Sequence, residues 1–143
     1  MADKNAIAYA NTLIHGVNSP INFGAHIQLV MDHYVTDASL SAGTTISFGK
    51  LPKGTRIIGG FLVNEAMGTG AQVKVGTTSD DDKYLAATSV AAANTAPVWV
   101  AYNEATNNMT KLTEEEEIIV TTHNASWASG KLIRLVLFVS WNN

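Results

Sequence analysis

The sequence predicts an all-β fold from three observations. From about residue 26 onward, apolar residues recur with a period of two, as they do on strands with one buried face. Short segments rich in Gly, Pro, Asn, Asp and Ser separate these stretches, which is typical of turns. No helical period lies between them, so seven or eight short strands at this spacing indicate a jelly-roll-like antiparallel β-sandwich.

Residues 1–25 differ from the rest and predict an N-terminal arm that is extended or partly helical. The stretch NAIAYANTLI places some apolar residues on one helical face, but Gly16 and Pro20 end any helix there. A segment this short is only marginally ordered alone, so we expect a neighbour or the body of the domain to hold it. The predicted organisation is an arm over 1–25 and a β-sandwich domain over 26–143.

Each strand is predicted from its alternation, beginning with HIQLVMDHYV. This segment places one set of side chains on a common face: Ile27, Leu29, Met31, His33 and Val35. In TRIIGGFLVNE, strict alternation puts Ile57 on the same side as Phe61 and Val63, opposite Ile58 and Leu62.

The later strands follow the same rule. In TTISFG, Ile46 and Phe48 lie on the same face, and in AQVKVG the two valines point inward. In APVWVAYN, Trp99 lies opposite the flanking valines. The final segment, KLIRLVLFVSW, is apolar on both faces, which predicts a strand covered from two sides.

Composition excludes several classes of function. The chain has 143 residues, 46% of them hydrophobic and 15% charged, with a net charge of −3. Such a low charge is typical of a surface partly covered by a partner, although a large core explains it almost as well. The nine Lys and Arg residues are scattered, so nucleic-acid binding is disfavoured. Without cysteine there are no disulfides, thiolate metal sites or thiol nucleophiles.

The sequence contains no recognisable signal for secretion or for insertion into a membrane. The first sixteen residues lack the basic and apolar regions of a signal peptide. The longest apolar run, LVLFV at 135–139, is too short to span a bilayer. We therefore expect a soluble protein that is made in a cytoplasm.

Three consecutive aspartates, Asp80–Asp82, are the first candidate for chemistry. A helix-flanked calcium loop that begins at Asp80 needs glycine at its sixth position and glutamate at its twelfth, where this chain has Leu85 and Ala91. Adjacent side chains on an extended backbone also point to alternate sides and do not converge on one ion. The interpretation is an acidic turn after the strand that contains Val73 and Val75.

The second acidic segment, TEEEEII at 113–119, is interpreted as a solvated entry into a strand or a short helical turn capped by Thr113. The four histidines have none of the spacings that bring two imidazoles to one metal. No Ser-His-Asp arrangement or nucleophile motif is present. The sequence therefore predicts a protein that is not an enzyme and has no cofactor or metal.

Tryptophans are the remaining candidates for contacts. Trp99, Trp127 and Trp141 are compatible with a sugar-stacking surface, with Trp127 in an exposed loop as the possible glycan contact. Tryptophan is also enriched at protein–protein contacts. Together these features favour an interaction or assembly module.

Three segments of the sequence resemble small virion proteins of tailed bacteriophages. LPKGTRIIGGFLVNEAMGTGAQVKVGTTSDDDKYLAA, residues 51–87, is similar to a recurrent "lPkGarv-gg", "lGtga-v-vGd" and "D-ry-laa" pattern in those proteins. KLTEEEEIIVTT (111–122) and GKLIRLVLFVSW (130–141) match its later parts. The resemblance covers about 90 residues, and its motifs are structural rather than chemical.

This resemblance implies a head decoration (cement) protein that binds the major capsid protein at the capsid surface. Such proteins are typically homotrimers, and this one would be made in the host bacterial cytoplasm. Separately from the resemblance, we expect exposed apolar residues to make partner contacts. In the arm they are Ile7, Tyr9, Leu13 and Ile14, and in the domain they are Trp99 and Trp141, as candidate anchors between subunits.

Other functions remain open at this stage. A tail or fibre-associated adsorption protein would use Trp127 and the Asn-rich loop 103–109 on host glycans. A free carbohydrate-binding module of jelly-roll type is a further alternative. A capsid subunit of a small jelly-roll virus is disfavoured because the arm holds only Lys4 as a basic residue.

Overall fold

The structure is a computed structural model that describes residues 4–5, 26–100 and 111–141. Within these ranges the chain forms strands joined by turns and loops, and no helix is long and apolar enough to cross a membrane. The strands are β1 Lys4–Asn5, β2 His26–Val35, β3 Thr45–Leu51, β4 Thr55–Asn64, β5 Gln72–Thr77, β6 Leu85–Ser89, β7 Val98–Val100, β8 Glu116–His123 and β9 Leu132–Trp141.

Two sheets pack face to face. The five-stranded sheet has the order β1-β3-β8-β5-β6, and the four-stranded sheet has the order β2-β9-β4-β7. Apart from the short β1, early strands pair with late ones: β2 with β9, β3 with β8, β4 with β7 and β5 with β6. Every one of these pairs is antiparallel. This nesting of pairs across two four-stranded units is the jelly-roll arrangement, so the predicted fold class is confirmed.

The core lies between the sheets and uses the alternation that the sequence predicts. Val73 and Val75 on β5 are fully buried, and Ile46 and Phe48 on β3 point the same way. β9 is central in its sheet, and its inward residues form one side of the core: Ile133, Leu135, Leu137 and Val139. Alternation therefore identifies the inner faces of β3, β5 and β9 correctly.

β4 departs from the predicted alternation. Its register with β9 shifts between Ile57 and Gly59, which is the signature of a β-bulge. Because one extra residue is accommodated there, Ile57 and Leu62 both face the core, where strict alternation put them on opposite sides. Phe61 accordingly lies on the outer face of the sheet, away from Ile57.

Only the beginning of the arm belongs to the described residues. Lys4 and Asn5 pair in parallel with Ile46 and Ser47 of β3, and so extend the five-stranded sheet at its edge. The helical turn predicted between Ile7 and Ile14 lies outside the described residues. The division of the chain at residue 25 stays a prediction.

Candidate interaction surface

The outer face of the four-stranded sheet carries exposed apolar side chains. We call this surface the apolar face, and define it by the outward residues of β2, β4, β7 and β9. All the large hydrophobic side chains that are exposed among the described residues belong to it: Ile27, Leu29, Met31, Val35 and Trp99. Ile27 is 64% exposed and Trp99 is 56% exposed. Contiguous exposed apolar side chains of this kind mark interaction sites rather than ordinary surface.

The register of the strands explains why these side chains adjoin. Leu29 of β2 lies opposite Phe138 of β9, and Met31 lies opposite Val136. Val136 in turn lies opposite Phe61 of β4, which lies opposite Trp99 of β7. Outward side chains at paired positions are neighbours on one face, so the apolar residues form a band across all four strands.

Aromatic contacts hold the exposed end of this band. The ring of Phe61 meets that of Trp99 edge to face, with 6.1 Å between centroids and 80° between planes. The same Phe61 ring lies 6.2 Å from the ring of Phe138. Such pairs stabilise by about 0.5–1.5 kcal/mol beyond their buried area. Trp99 is therefore an exposed ring that packs against the neighbouring Phe61 ring.

A groove of about 280 Å³ opens within the apolar face. Its walls are Ile27, Ile58, Trp99 and Phe138, and backbone at Gly59 and Gly60 contributes to its lining together with Val100. The groove is open on its outer side. It is the place on this face where a partner's side chain would find apolar walls around it.

The charged side chains that the described strands direct onto the apolar face are those of Arg134 and Arg56. Exposed Arg134 of β9 lies opposite His33 of β2 on one side and Val63 of β4 on the other. Arg56 lies nearer the other end of the sheet, and an isolated bridge joins its backbone to that of Lys111. In the strands that form this face, the described carboxylate is Asp32, which points inward and is 4% exposed. Glu65, one residue beyond β4, accepts a hydrogen bond from the backbone N–H of Leu132 at 2.7 Å.

The acidic segments lie on the other side of the sandwich. Asp80–Asp82 form part of the turn between β5 and β6, as the sequence predicts, and the Lys74 ammonium contacts Asp81 at 3.3 Å. The turn folds back over Gly76, where an added Cβ would collide with the backbone of Asp80. Lys74 and Gly76 occupy the outward-facing positions of β5. This turn therefore covers part of the outer face of the five-stranded sheet.

Glu116 ties this turn to the start of β8. Its carboxylate accepts hydrogen bonds from the Lys83 ammonium at 2.8 and 2.9 Å and from the Tyr84 hydroxyl at 3.1 Å. Burial raises the pKa of the Tyr84 hydroxyl, and the nearby Glu116 carboxylate raises it further. Tyr84 therefore remains a neutral donor. The segment 114–117 enters β8 at Glu116, which agrees with the strand entry predicted for it.

Asp32 is the buried carboxyl of the four-stranded sheet. Its Oδ1 accepts a hydrogen bond from the backbone N–H of His33 at 2.8 Å, whereas its Oδ2 has no hydrogen-bond partner among the described residues. It borders a small apolar cavity of about 10 Å³ together with Val30 and Phe48. Burial raises the pKa of this carboxyl, and the hydrogen bond from His33 offsets part of that rise.

The described part of the chain contains no group of three His, Asp or Glu side chains arranged to hold a metal ion. Among the described residues, the acidic side chains contribute to a structural ion-pair network, and the exposed apolar side chains form the apolar face.

Trp127 is not where the sequence prediction put it. Its ring is fully buried, and its Nε1–H donates a hydrogen bond to the backbone carbonyl of Gln72 at 3.0 Å. The loop that carries it is held to Leu40 by a pair of backbone hydrogen bonds of 2.8 and 3.0 Å. The prediction of an exposed, glycan-contacting Trp127 is wrong, because its loop folds over the end of the sandwich and places the indole in the core.

Other predicted contact residues are distributed differently. Trp99 is exposed on the apolar face, as a partner contact requires, although whether it contacts one stays a prediction. The backbone of Trp141 ends β9 opposite His26 and Thr55, and its side chain lies outside the described residues. The four arm residues lie outside them as well: Ile7, Tyr9, Leu13 and Ile14. Sequence reasoning did not select Ile27, Ile58, Phe138 or Gly59, although the two-sided apolar pattern of β9 signalled a second covered face.

Comparisons with known proteins bear on the fold. No protein-family model matches this chain, and no curated protein matches it in sequence. Its fold is similar to that of a chain in the capsid of Ralstonia phage GP4, with a TM-score of 0.71 and 18% identity over 97% of each chain. It is also similar to a chain in the capsid asymmetric unit of cyanophage Pam1, with a TM-score of 0.70 and 16% identity over 89% of this chain and 92% of that one. These TM-scores establish a shared fold, and at identities this low they establish the fold alone.

Proposed function

We propose that this chain is a bacteriophage virion structural protein of the decoration (cement) type, which binds the assembled head and stabilises it. The observation that carries the proposal is the apolar face, an exposed band of apolar side chains on a jelly roll whose structural likenesses include chains of phage capsids. The motifs at 51–87, 111–122 and 130–141 support the same assignment by their resemblance to small virion proteins.

The proposed mechanism is mass action. A protein that binds the assembled shell and not its dissociated subunits stabilises the shell by its binding free energy. At a free concentration of about 100 times Kd, each site contributes about 2.7 kcal/mol. Many copies repeat this contribution over the lattice, and a trimer with several attachment points adds avidity. No covalent step is involved, so the protein acts without catalysis or a cofactor.

The proposed partner is the major capsid protein, and the proposed location is the outer surface of the head. In this assignment the copies form homotrimers after synthesis in the host cytoplasm. The apolar face, with Trp99, and the N-terminal arm are the proposed contacts. Nucleic acid and membrane are not partners, because the cations of the apolar face are few and widely separated.

Immunogold labelling of the source phage particles tests this placement. Antibody against the purified protein should distribute gold over the head in electron micrographs. The control is particles treated with pre-immune serum. Gold confined to the tail would contradict the decoration assignment and favour the adsorption alternative, and unlabelled intact particles would contradict any exposed position on the virion.

If gold marks the head, loss of the protein should weaken the shell. Heads assembled without it should release DNA at a lower temperature than decorated heads, and adding the purified protein back should restore the wild-type temperature. Equal temperatures for the two kinds of head would show that the protein binds without stabilising.

A further inference from the structure

One oxygen of the buried Asp32 carboxyl lacks a hydrogen-bond partner within the described part of the chain. Oδ1 accepts a hydrogen bond from the backbone N–H of His33 at 2.8 Å, and Oδ2 is the oxygen without a partner. A buried polar atom in this position has lost its hydration and has gained no hydrogen bond in exchange. Buried polar groups of folded proteins are in general satisfied by protein atoms or by ordered water. The free Oδ2 therefore indicates a further ligand at this carboxyl.

Asp32 lines a cavity that lies between the two sheets. The cavity measures about 10 Å³, and Asp32 is the one residue with a polar side chain in its described lining. The other side chains in the lining are apolar and buried: Val30, Phe48, Leu51, Ile118, Leu135 and Leu137. A cavity needs about 10–15 Å³ to hold one water molecule. The space beside Asp32 therefore suits a single water and nothing larger.

A β-bulge of the five-stranded sheet forms another part of the cavity wall. Two residues of β3, Phe48 and Gly49, oppose the single residue Ile118 of β8, so one residue is left out of the regular ladder. Gly49 has a φ of 106°, and because it has no side chain it presents backbone to the cavity. Its N–H donates a hydrogen bond of 3.3 Å to the Ser47 hydroxyl. Backbone of one sheet and the Asp32 carboxyl of the other therefore border the same space.

A water molecule matches the polar groups at this cavity, whereas a metal ion does not. Calcium takes about six to eight oxygen ligands, and this cavity offers one carboxyl among apolar side chains. In the ranges that the structure describes, no three His, Asp or Glu side chains are arranged to hold a metal ion. A buried water makes only about two to four hydrogen bonds, which is a number that one carboxyl oxygen and nearby backbone groups can supply.

We propose that this cavity is a binding site for one ordered water molecule, which hydrogen-bonds to Asp32 Oδ2 and to the backbone of the Phe48–Gly49 bulge. The water joins β2 of one sheet to β3 of the other, and Asp32 acts as a positioning residue. β2 lies at the edge of its sheet beside β9, and it carries Ile27, Leu29 and Met31 of the apolar face. The inference goes beyond the proposed function and does not depend on it, since it concerns how this edge strand is held to the opposite sheet.

Crystal structures that resolve ordered waters test the site. In the wild type we expect density for one water about 2.5–3.0 Å from Asp32 Oδ2. Asp32→Asn is the matched control, because it keeps the shape of the side chain and a polar atom at each position, and it should retain the water. Asp32→Leu has the same branching with methyl groups in place of both oxygens. Its structure should lack the water, because a small cavity with apolar walls stays dry.

Magnetic relaxation dispersion of the solvent counts long-lived waters in solution and gives a second readout. The wild type and Asp32→Asn should each hold one more such water than Asp32→Leu, and equal counts in all three would overturn the site. Wild-type density without a water at Oδ2, or with Oδ2 turned onto a protein donor, would overturn it as well. So would a water that persists in Asp32→Leu, because the carboxyl would then not hold it. If Asp32→Leu does not fold, the wild-type and Asp32→Asn structures decide.

Discussion

The outer faces of the two sheets differ in chemistry, although both belong to one jelly roll. The four-stranded sheet presents Ile27, Leu29, Met31 and Trp99 to the outside. On the five-stranded side, the segments 80–82 and 114–117 hold seven of the chain's twelve acidic residues. A free monomer gains nothing from exposing an apolar band on one side only. In the proposed function, the apolar side is the one that the shell covers, and the acidic side stays in water.

Tryptophan provides the sharpest test of this contrast, because one lies on the apolar face and another in the core. Trp127→Ala removes a fully buried ring and its hydrogen bond to Gln72, and should cost about 3–5 kcal/mol of unfolding free energy. Trp99→Ala should cost about 1 kcal/mol, mainly its contact with Phe61. Urea denaturation of both variants measures the two values. Similar losses for the two would mean that Trp99 is part of the core and not a binding residue.

On the acidic side, the unfolding free energy should depend on the ion-pair network rather than on buried apolar area. Glu116→Ala removes the carboxylate that accepts hydrogen bonds from the Lys83 ammonium and from the buried Tyr84 hydroxyl, and should cost about 1–3 kcal/mol. Glu115→Ala is the matched control, since its pair with Lys50 is 3.5 Å long and both side chains are 60% exposed. The control should change stability by no more than about 0.5 kcal/mol. Equal effects would show that burial does not distinguish these two pairs.

The buried Asp32 carboxyl of the four-stranded sheet predicts that the unfolding free energy depends on pH. Its pKa is raised in the folded protein by burial, so the folded state holds this proton more tightly than the unfolded state. The resulting stabilisation is complete below the ordinary value of 3.8 and is lost as pH rises through the raised pKa. The unfolding free energy of the wild type relative to Asp32→Asn should therefore fall as pH rises across that window.

Urea titrations of the wild type and Asp32→Asn at several pH values check this dependence. The difference between them removes the contributions of the other titrating groups, as long as those groups do not interact with Asp32. A difference that is constant with pH would show that Asp32 titrates alike in the folded and unfolded states.

The sequence predicted the sandwich because the inner faces of β3, β5 and β9 repeat one simple pattern. Val73 and Val75 alternate with polar neighbours, so their direction was evident. β2 was harder, because Val30 and Tyr34 on its inner face are as apolar as Ile27 and Leu29 on its outer face. Period two identifies the two faces of a strand, but it does not identify which one meets the core when both are apolar.

The groove was hidden for two further reasons. The bulge at Ile58 has no sequence signature beyond the adjacent glycines, yet it turns Phe61 away from the side of Ile57. Gly59 resembles any strand glycine until the space above it is known. Trp127 was misplaced for a related reason, since a loop position in sequence does not reveal that the loop closes over the end of the sandwich.

The most direct test is to see which side of this protein faces the shell. Cryo-electron microscopy of decorated heads, at a resolution that shows side chains, would reveal it. We expect the four-stranded sheet to lie against the shell, with Trp99 at the contact and the Asp80–Asp82 turn in solvent. Density that places the five-stranded sheet on the shell, or heads that carry no density for this protein, would contradict the account.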